Sequence, residues 1–230
     1  MIYARQAGGA RVEVLGYSDS SETCGPEDAV VGYMAAALVA EASVPAASRP
    51  LLPALAAEEQ KELLQVARLA VEAAVKKTPV PDVRTSSAAL SEDGAAFVTL
   101  TKRGELRGCI GFIEPVAPLI RTVAQAAALA ALEDRRFAPV ADRELRTLAI
   151  EISVLSPLVR ITDPKLIRVG KHGLVVSRGE RRGLLLPRVA TDNGWGRDEF
   201  LRQACLKAGL PPDDWKKGAE IFIFEALVIR

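Results

Sequence analysis

Residues 95–113, AAFVTLTKRGELRGCIGFI, constrain the fold more than any other stretch. Two apolar runs flank the short polar segment KRGE, which is the pattern of two antiparallel strands joined by a turn. Further strand signals follow. LAIEISVLSPL alternates until Pro157 stops it, GLVVSR and GLLLPRV flank the basic turn GERR, and AEIFIFEALVIR reads as one terminal strand. Helical patterns are interspersed. In LAAEEQKELLQVARLAVEAAVKK, Leu63, Val66, Ala70 and Ala74 recur at helical spacing, with acids in the first turn and lysines in the last, as the helix dipole favours. Pro115 and Pro118 can open a helix over PLIRTVAQAAALAALED. RDEFLRQACLKAGL is a helix closed by Gly209. Adjacent strands with helices between them predict an α+β fold with a largely antiparallel sheet flanked by helices.

The first 42 residues read differently. ARVEVLGY alternates like a strand, SDSSETCGPEDA is rich in turn formers, and VVGYMAAALVAEA predicts a short buried helix. Residues 43–54 hold three prolines in twelve residues and read as a linker. The organisation expected is therefore a first piece over 1–42, a linker over 43–56 and a regular domain over 57–230.

Composition narrows the function classes. The formal net charge is +1, with 5 Lys/Arg against 10 Asp/Glu in the first 75 residues. The basic excess of the remainder is mixed with acids, unlike the dense stripe of a duplex-binding protein. Aromatic residues make up only 5%, so stacking platforms for RNA are few. No apolar run reaches the roughly 18 residues that span a bilayer. Three unpaired cysteines (Cys24, Cys109, Cys205) and no signal-peptide pattern predict a cytoplasmic protein with free thiols. Walker, dinucleotide and Gly-x-Ser-x-Gly patterns are lacking.

The chemistry-bearing stretch is LRGCIG. On a regular strand Arg107 and Cys109 share one face, while Leu106, Gly108 and Ile110 share the other. Gly108 and Gly111 let another backbone or a ligand approach closely. A guanidinium beside a thiol favours the thiolate. One reading makes Cys109 a nucleophile and Arg107 an anion holder. The other makes Cys109 a small core residue, with Arg107 paired to an acid. His172 is the only histidine, so any imidazole catalysis must use it. An exposed turn position is the plainer expectation for it. One histidine and three scattered cysteines do not make a complete metal site.

GELRGCIGFIEP, DRRFAPVADRELRTLAIEISVLSPL, GKHGLVV, RRGLLLPRVATDNGW and FLRQACLKAGLPPDDW, in that order, resemble an AMMECR domain over about residues 57–230. The resemblance implies an α+β fold in two unequal lobes. It also implies a functional cleft beside the hexapeptide, Leu106, Arg107, Gly108, Cys109, Ile110 and Gly111; His172, as the only histidine, is the acid/base candidate for such a cleft. Asp134-Arg135-Arg136-Phe137 stands where that family usually has Asp-Pro-Arg-Phe, which keeps Arg136 among the binding residues.

VLGYSDSSETCGPEDAVVGYMAAALV is similar to the C-terminal end of Memo-type domains, relatives of non-haem iron dioxygenases. The resemblance places Cys24 on a loop near the metal pocket of that family. No histidine precedes position 172, so the expectation is that Met1 is an internal or mis-called start or that the reading frame is truncated, and that iron belongs to a full-length Memo-type body. No cofactor is expected for this chain itself. Memo followed by AMMECR is the arrangement of the AmmeMemoRadiSam system, which implies a radical S-adenosylmethionine partner and an unidentified substrate. Three roles stay open: a cysteine-dependent enzyme component, a module presenting a substrate or partner, and, least supported, RNA association.

Overall fold

The computed structural model describes residues 10–19, 32–40, 52–80 and 82–230. The chain divides into two compact units, 1–49 and 50–230. In the first, strands β1 (Ala10–Asp19) and β2 (Gly32–Ala40) pair antiparallel, with an irregularity between Val14 and Gly16. The helix expected over VVGYMAAALVAEA is, across its described residues Gly32–Ala40, a strand. A short, uniformly apolar run fits a buried helix or a strand equally by period, and pairing with a neighbouring strand decides it. Cys24 and residues 43–51 of the linker lie outside the described residues.

The second unit opens with helix α1 (Ala57–Lys76) and the single turn α2 (Ala88–Ser91). Strands β3 (Ala95–Lys102) and β4 (Glu105–Phe112) form the expected hairpin, followed by helix α3 (Leu119–Leu132) and strand β5 (Leu148–Leu155). Alternation sorts the faces. Ala96, Val98 and Leu100 of β3 and Ile150, Ile152 and Val154 of β5 join Leu63, Val66, Ala70 and Val71 of α1 and Val123, Ala127 and Ala130 of α3 in one core. Each such Leu, Ile or Val contributes roughly 1.5–3 kcal/mol by leaving water.

The chain then builds a second sheet from β6 (Val159–Ile161), β7 (Gly173–Arg178), β8 (Arg181–Leu185) and β9 (Glu220–Phe224). Helices α4 (Pro187–Asp192) and α5 (Arg197–Lys207) accompany it. β10 (Ala226–Ile229) returns to the first sheet. Both sheets have four antiparallel strands, in the orders β10-β5-β3-β4 and β6-β9-β7-β8. Two local expectations are corrected. The single terminal strand is two, interrupted at Glu225, because the chain changes sheets there. GLLLPRV ends as a strand at Leu185, since Pro187, with no N–H to donate, opens α4; Arg181 and Arg182 belong to β8 and not to the turn.

One face of the second sheet packs Leu174, Val176, Ile221 and Ile223 against Phe200, Leu201, Ala204 and Cys205 of α5. Its other face sets Val175 and Phe224 against Ala95 and Leu155 of the first sheet. The antiparallel α+β architecture is therefore as expected. The two sheet crossings are tied together: Ser156 N–H donates to Glu225 O at 2.9 Å, and Glu225 N–H donates to Ser156 Oγ at 2.9 Å. Among the described residues, no helix is long and apolar enough to cross a membrane.

Candidate functional site

β4 is an edge strand, and its free side faces the segment that leaves α3. Pairing runs Leu100 opposite Gly108 but Thr101 opposite Leu106, so Arg107 is an extra residue on β4. A bulge of this kind breaks the alternation, and it corrects the side-by-side Arg107–Cys109 arrangement expected of a regular strand. The Arg107 guanidinium is instead fully engaged away from the thiol. Nε and Nη2 donate to the two Glu144 oxygens at 3.2 and 3.0 Å, Nη1 to Ala138 O at 2.8 Å and Nη2 also to Pro139 O at 3.2 Å. Lys102 Nζ reaches Glu144 Oε1 at 2.8 Å. Arg107, more than the Ala141 N–H or Lys102, holds the Glu144 carboxyl at about 2.

Beyond the bulge the strand is regular. Gly108 is buried against α3 and Ile110 packs on the α1/α3 core, while Leu106 is exposed. Cys109 turns to the opposite face. There register places Cys109, Thr99 and Glu151 in one row across β4, β3 and β5. Thr99, 2% exposed, donates its hydroxyl to Cys109 Sγ at 3.3 Å. Glu151 receives Arg188 of α4 at 2.6 Å and Arg230 at 2.8 Å, so the second sheet's lobe reaches the same row. The next row, Gly111, Phe97 and Ser153, leads toward the apolar contact between the sheets.

The cation beside Cys109 is Arg136. Its Nε and Nη2 bind Asp134 at 2.9 and 2.7 Å, and Nη2 lies 3.5 Å from Cys109 O. Asp134 in turn accepts the Cys109 N–H at 2.8 Å, capping the open edge of β4. Arg136 first, then the Cys109 and Arg136 amides, hold the Asp134 carboxyl far below the ordinary carboxylate range against the opposing effect of burial. Asp134→Ala is expected to leave the Cys109 amide unpaired at the edge, costing about 1–3 kcal/mol. Amide hydrogen exchange reads this directly: exchange at Cys109 should accelerate well beyond that at Val98, in the sheet interior. Equal acceleration at both would mean that the sheet as a whole had loosened.

His172 is not the exposed turn residue expected. It is 7% exposed, and its Nδ1 accepts the Arg168 N–H at 3.2 Å, closing the loop ahead of β7. Burial, above all, lowers its pKa, with Glu225 opposing and Lys171 and Arg168 assisting. Among the described residues, no hydrogen bond links it to Cys109, whose partners are Thr99, Asp134 and Arg136. Cys205 is buried in the α5 core, and burial raises its pKa. Among the described residues, no cluster of His, Cys, Asp and Glu is arranged to hold a metal. Sequence reasoning missed Thr99, Glu151, Arg188, Asp134 and Glu144. Asp134 was quoted as the first residue of the Asp134–Phe137 motif without a role, while the others become neighbours only through register and packing.

These geometries sit in a recognisable company. Residues 64–229 match the AMMECR1 family model. A Methanopyrus kandleri protein is 44% identical over 186 residues, covering 76% of this chain and 90% of its own. A Methanothermobacter thermautotrophicus protein is 45% identical over 172 residues, covering 69% and 86%. The crystal structure of an uncharacterised Pyrococcus horikoshii protein superposes with a TM-score of 0.69 at 38% identity, over 72% of this chain and 88% of that one. With a family model spanning most of the antiparallel α+β unit, and relatives this similar over nearly their full length, the chain belongs to the AMMECR1 family.

Proposed function

We propose that this AMMECR1 domain is a binding component of an AmmeMemoRadiSam-type modification system, presenting a substrate or partner to a radical S-adenosylmethionine enzyme in the cytoplasm. The recognition surface is the face around Cys109, Thr99 and Glu151, rimmed by Arg136. One observation carries the reading: His172 and Arg107, the base and the cation that could activate a catalytic thiol, are committed elsewhere, and Arg136, the cation beside Cys109, is tied to Asp134. His172 holds the Arg168 amide and Arg107 holds Glu144, whereas an activated nucleophile needs a base within hydrogen-bond reach. Iron, in this reading, belongs to a Memo-type body and not to the AMMECR1 fold.

A catalytic role for Cys109 has one observation in its favour. The sulfur is only half-buried, held by the Thr99 hydroxyl on the face that Arg188 of the other lobe also approaches. Cys109→Ser and Arg136→Glu separate the two readings when binding to the radical enzyme and turnover of the system are both measured. Under the binding reading, Cys109→Ser retains both within about threefold, and Arg136→Glu weakens association at least tenfold. Loss of turnover in Cys109→Ser with association intact would transfer the role to the thiol. Alkylation supplies an internal control: Cys205 should stay unmodified until unfolding, and Cys109 should react in the native protein.

A further inference from the structure

A concavity lies at the far end of the first sheet, and it contains no hexapeptide residue. It is a hollow of about 510 Å³ between the end of β4, the start of β3, the end of β5 and the first residue of α3. That volume is within the range of small-molecule sites, which are concave, mostly apolar and oriented by a few polar groups. The walls are apolar, with Ile113, Leu119, Leu155 and Leu158 prominent among them. Leu119 and Leu155 belong to the packed core, so that part of the wall is fixed in place.

The rim has one sign. Glu92, Asp93 and Glu114 all border the hollow, and no lysine or arginine does. Glu114 is paired with Arg182 of β8. Among the described residues no cation is paired with Glu92 or Asp93, and both are exposed. These two sit at the N-terminus of α3, where Glu92 O accepts the Leu119 N–H at 2.8 Å and Asp93 bridges Pro118. An apolar hollow with an acidic lip and no lysine or arginine in its lining selects a ligand with an apolar body and a cationic end.

We propose that this hollow is a binding site for a small organic ammonium ligand, its apolar part against Ile113, Leu155 and Leu158 and its cation at Glu92 and Asp93. The site is independent of the hexapeptide face: it needs neither Cys109 nor Arg136, and it stands or falls separately from the presentation role.

Dansylcadaverine, an apolar fluorophore ending in a primary ammonium, probes it on the full chain, with dansylglycine as the anionic counterpart of the same body. Saturable binding of dansylcadaverine with a blue-shifted emission is expected, at least tenfold tighter than that of dansylglycine. Glu92→Gln with Asp93→Asn should bring the two affinities within about threefold of each other. Ala89→Trp, projecting from α2 into the hollow, should remove binding of both. Ile113→Trp carries the same test from the opposite wall, should Ala89→Trp melt early. Equal affinity for the two fluorophores in the parent protein would overturn the cationic assignment. Binding that survives both tryptophan substitutions would overturn the site.

Discussion

Glu144→Ala is expected to destabilise the folded domain by roughly 2–4 kcal/mol at neutral pH, read as a lower urea midpoint with an unchanged slope. The side chain is 12% exposed and its partner Arg107 16% exposed, so removing the carboxylate leaves a guanidinium largely withdrawn from water with only the Ala138 and Pro139 carbonyls as partners. Breaking a pair from one side costs more than the pair is worth, because the remaining charge keeps its desolvation penalty. Residual exposure and the 38% exposed Lys102 place the value below that of a fully buried pair.

The pH dependence fixes the cause. The Glu144 pKa falls from 4.5 to about 2 on folding, chiefly through Arg107. A depressed carboxyl contributes its stabilisation fully above pH 4.5 and loses it as pH falls toward 2. The gap between the parent protein and Glu144→Ala should therefore be flat from pH 7 to 5 and close progressively down to pH 2. A gap that persists unchanged at pH 2.5 would show that lost packing, not lost charge, produces the effect.

Most of the architecture can be read in the sequence because period and punctuation agree with packing. The β3–β4 hairpin, α1, α3, α5 and the Gly209 terminus follow from residues within one or two turns of each other. The misreadings have a common origin in contacts made across the fold. VVGYMAAALV carries no period that separates strand from helix, and AEIFIFEALVIR carries no mark that its two halves serve different sheets. The hexapeptide fails more instructively. A flat strand puts Arg107 beside Cys109, but one extra residue opposite Leu100–Thr101 redirects the guanidinium to Glu144, 37 positions away. Such a bulge leaves no local trace beyond Gly108. The Cys109–Thr99–Glu151 row is equally silent, since it depends on the register of three strands. Only Asp134, the first residue of a motif already singled out, was within reach of sequence reasoning.

Gly108→Ala should be a severely damaging single-methyl addition, lowering stability by about 3 kcal/mol or more. A Cβ at Gly108 would lie 2.2 Å from Ala130 O and 3.2 Å from Ala130 C, which are backbone atoms of α3 with no side chain to rotate away. Relief requires β4 and α3 to separate, and α3 is anchored through Ala127, Ala130 and Ala131 in the main core. Gly104→Ala is the contrast: nothing lies within 4 Å, and only its φ of +85° resists the change, a cost of roughly 1–2 kcal/mol. The difference between the two variants in thermal or urea unfolding measures helix–strand approach separately from turn strain. Near-equal losses would mean that α3 yields easily and that close approach does not require glycine at 108. A large excess at Gly108 makes that glycine the contact on which the Asp134 cap and the placement of Cys109 depend. Glycine, arginine and cysteine in LRGCIG then have three separate physical duties: Gly108 seats the strand on α3, Arg107 pins the 138–144 segment, and Cys109 alone turns to the Thr99–Glu151 face.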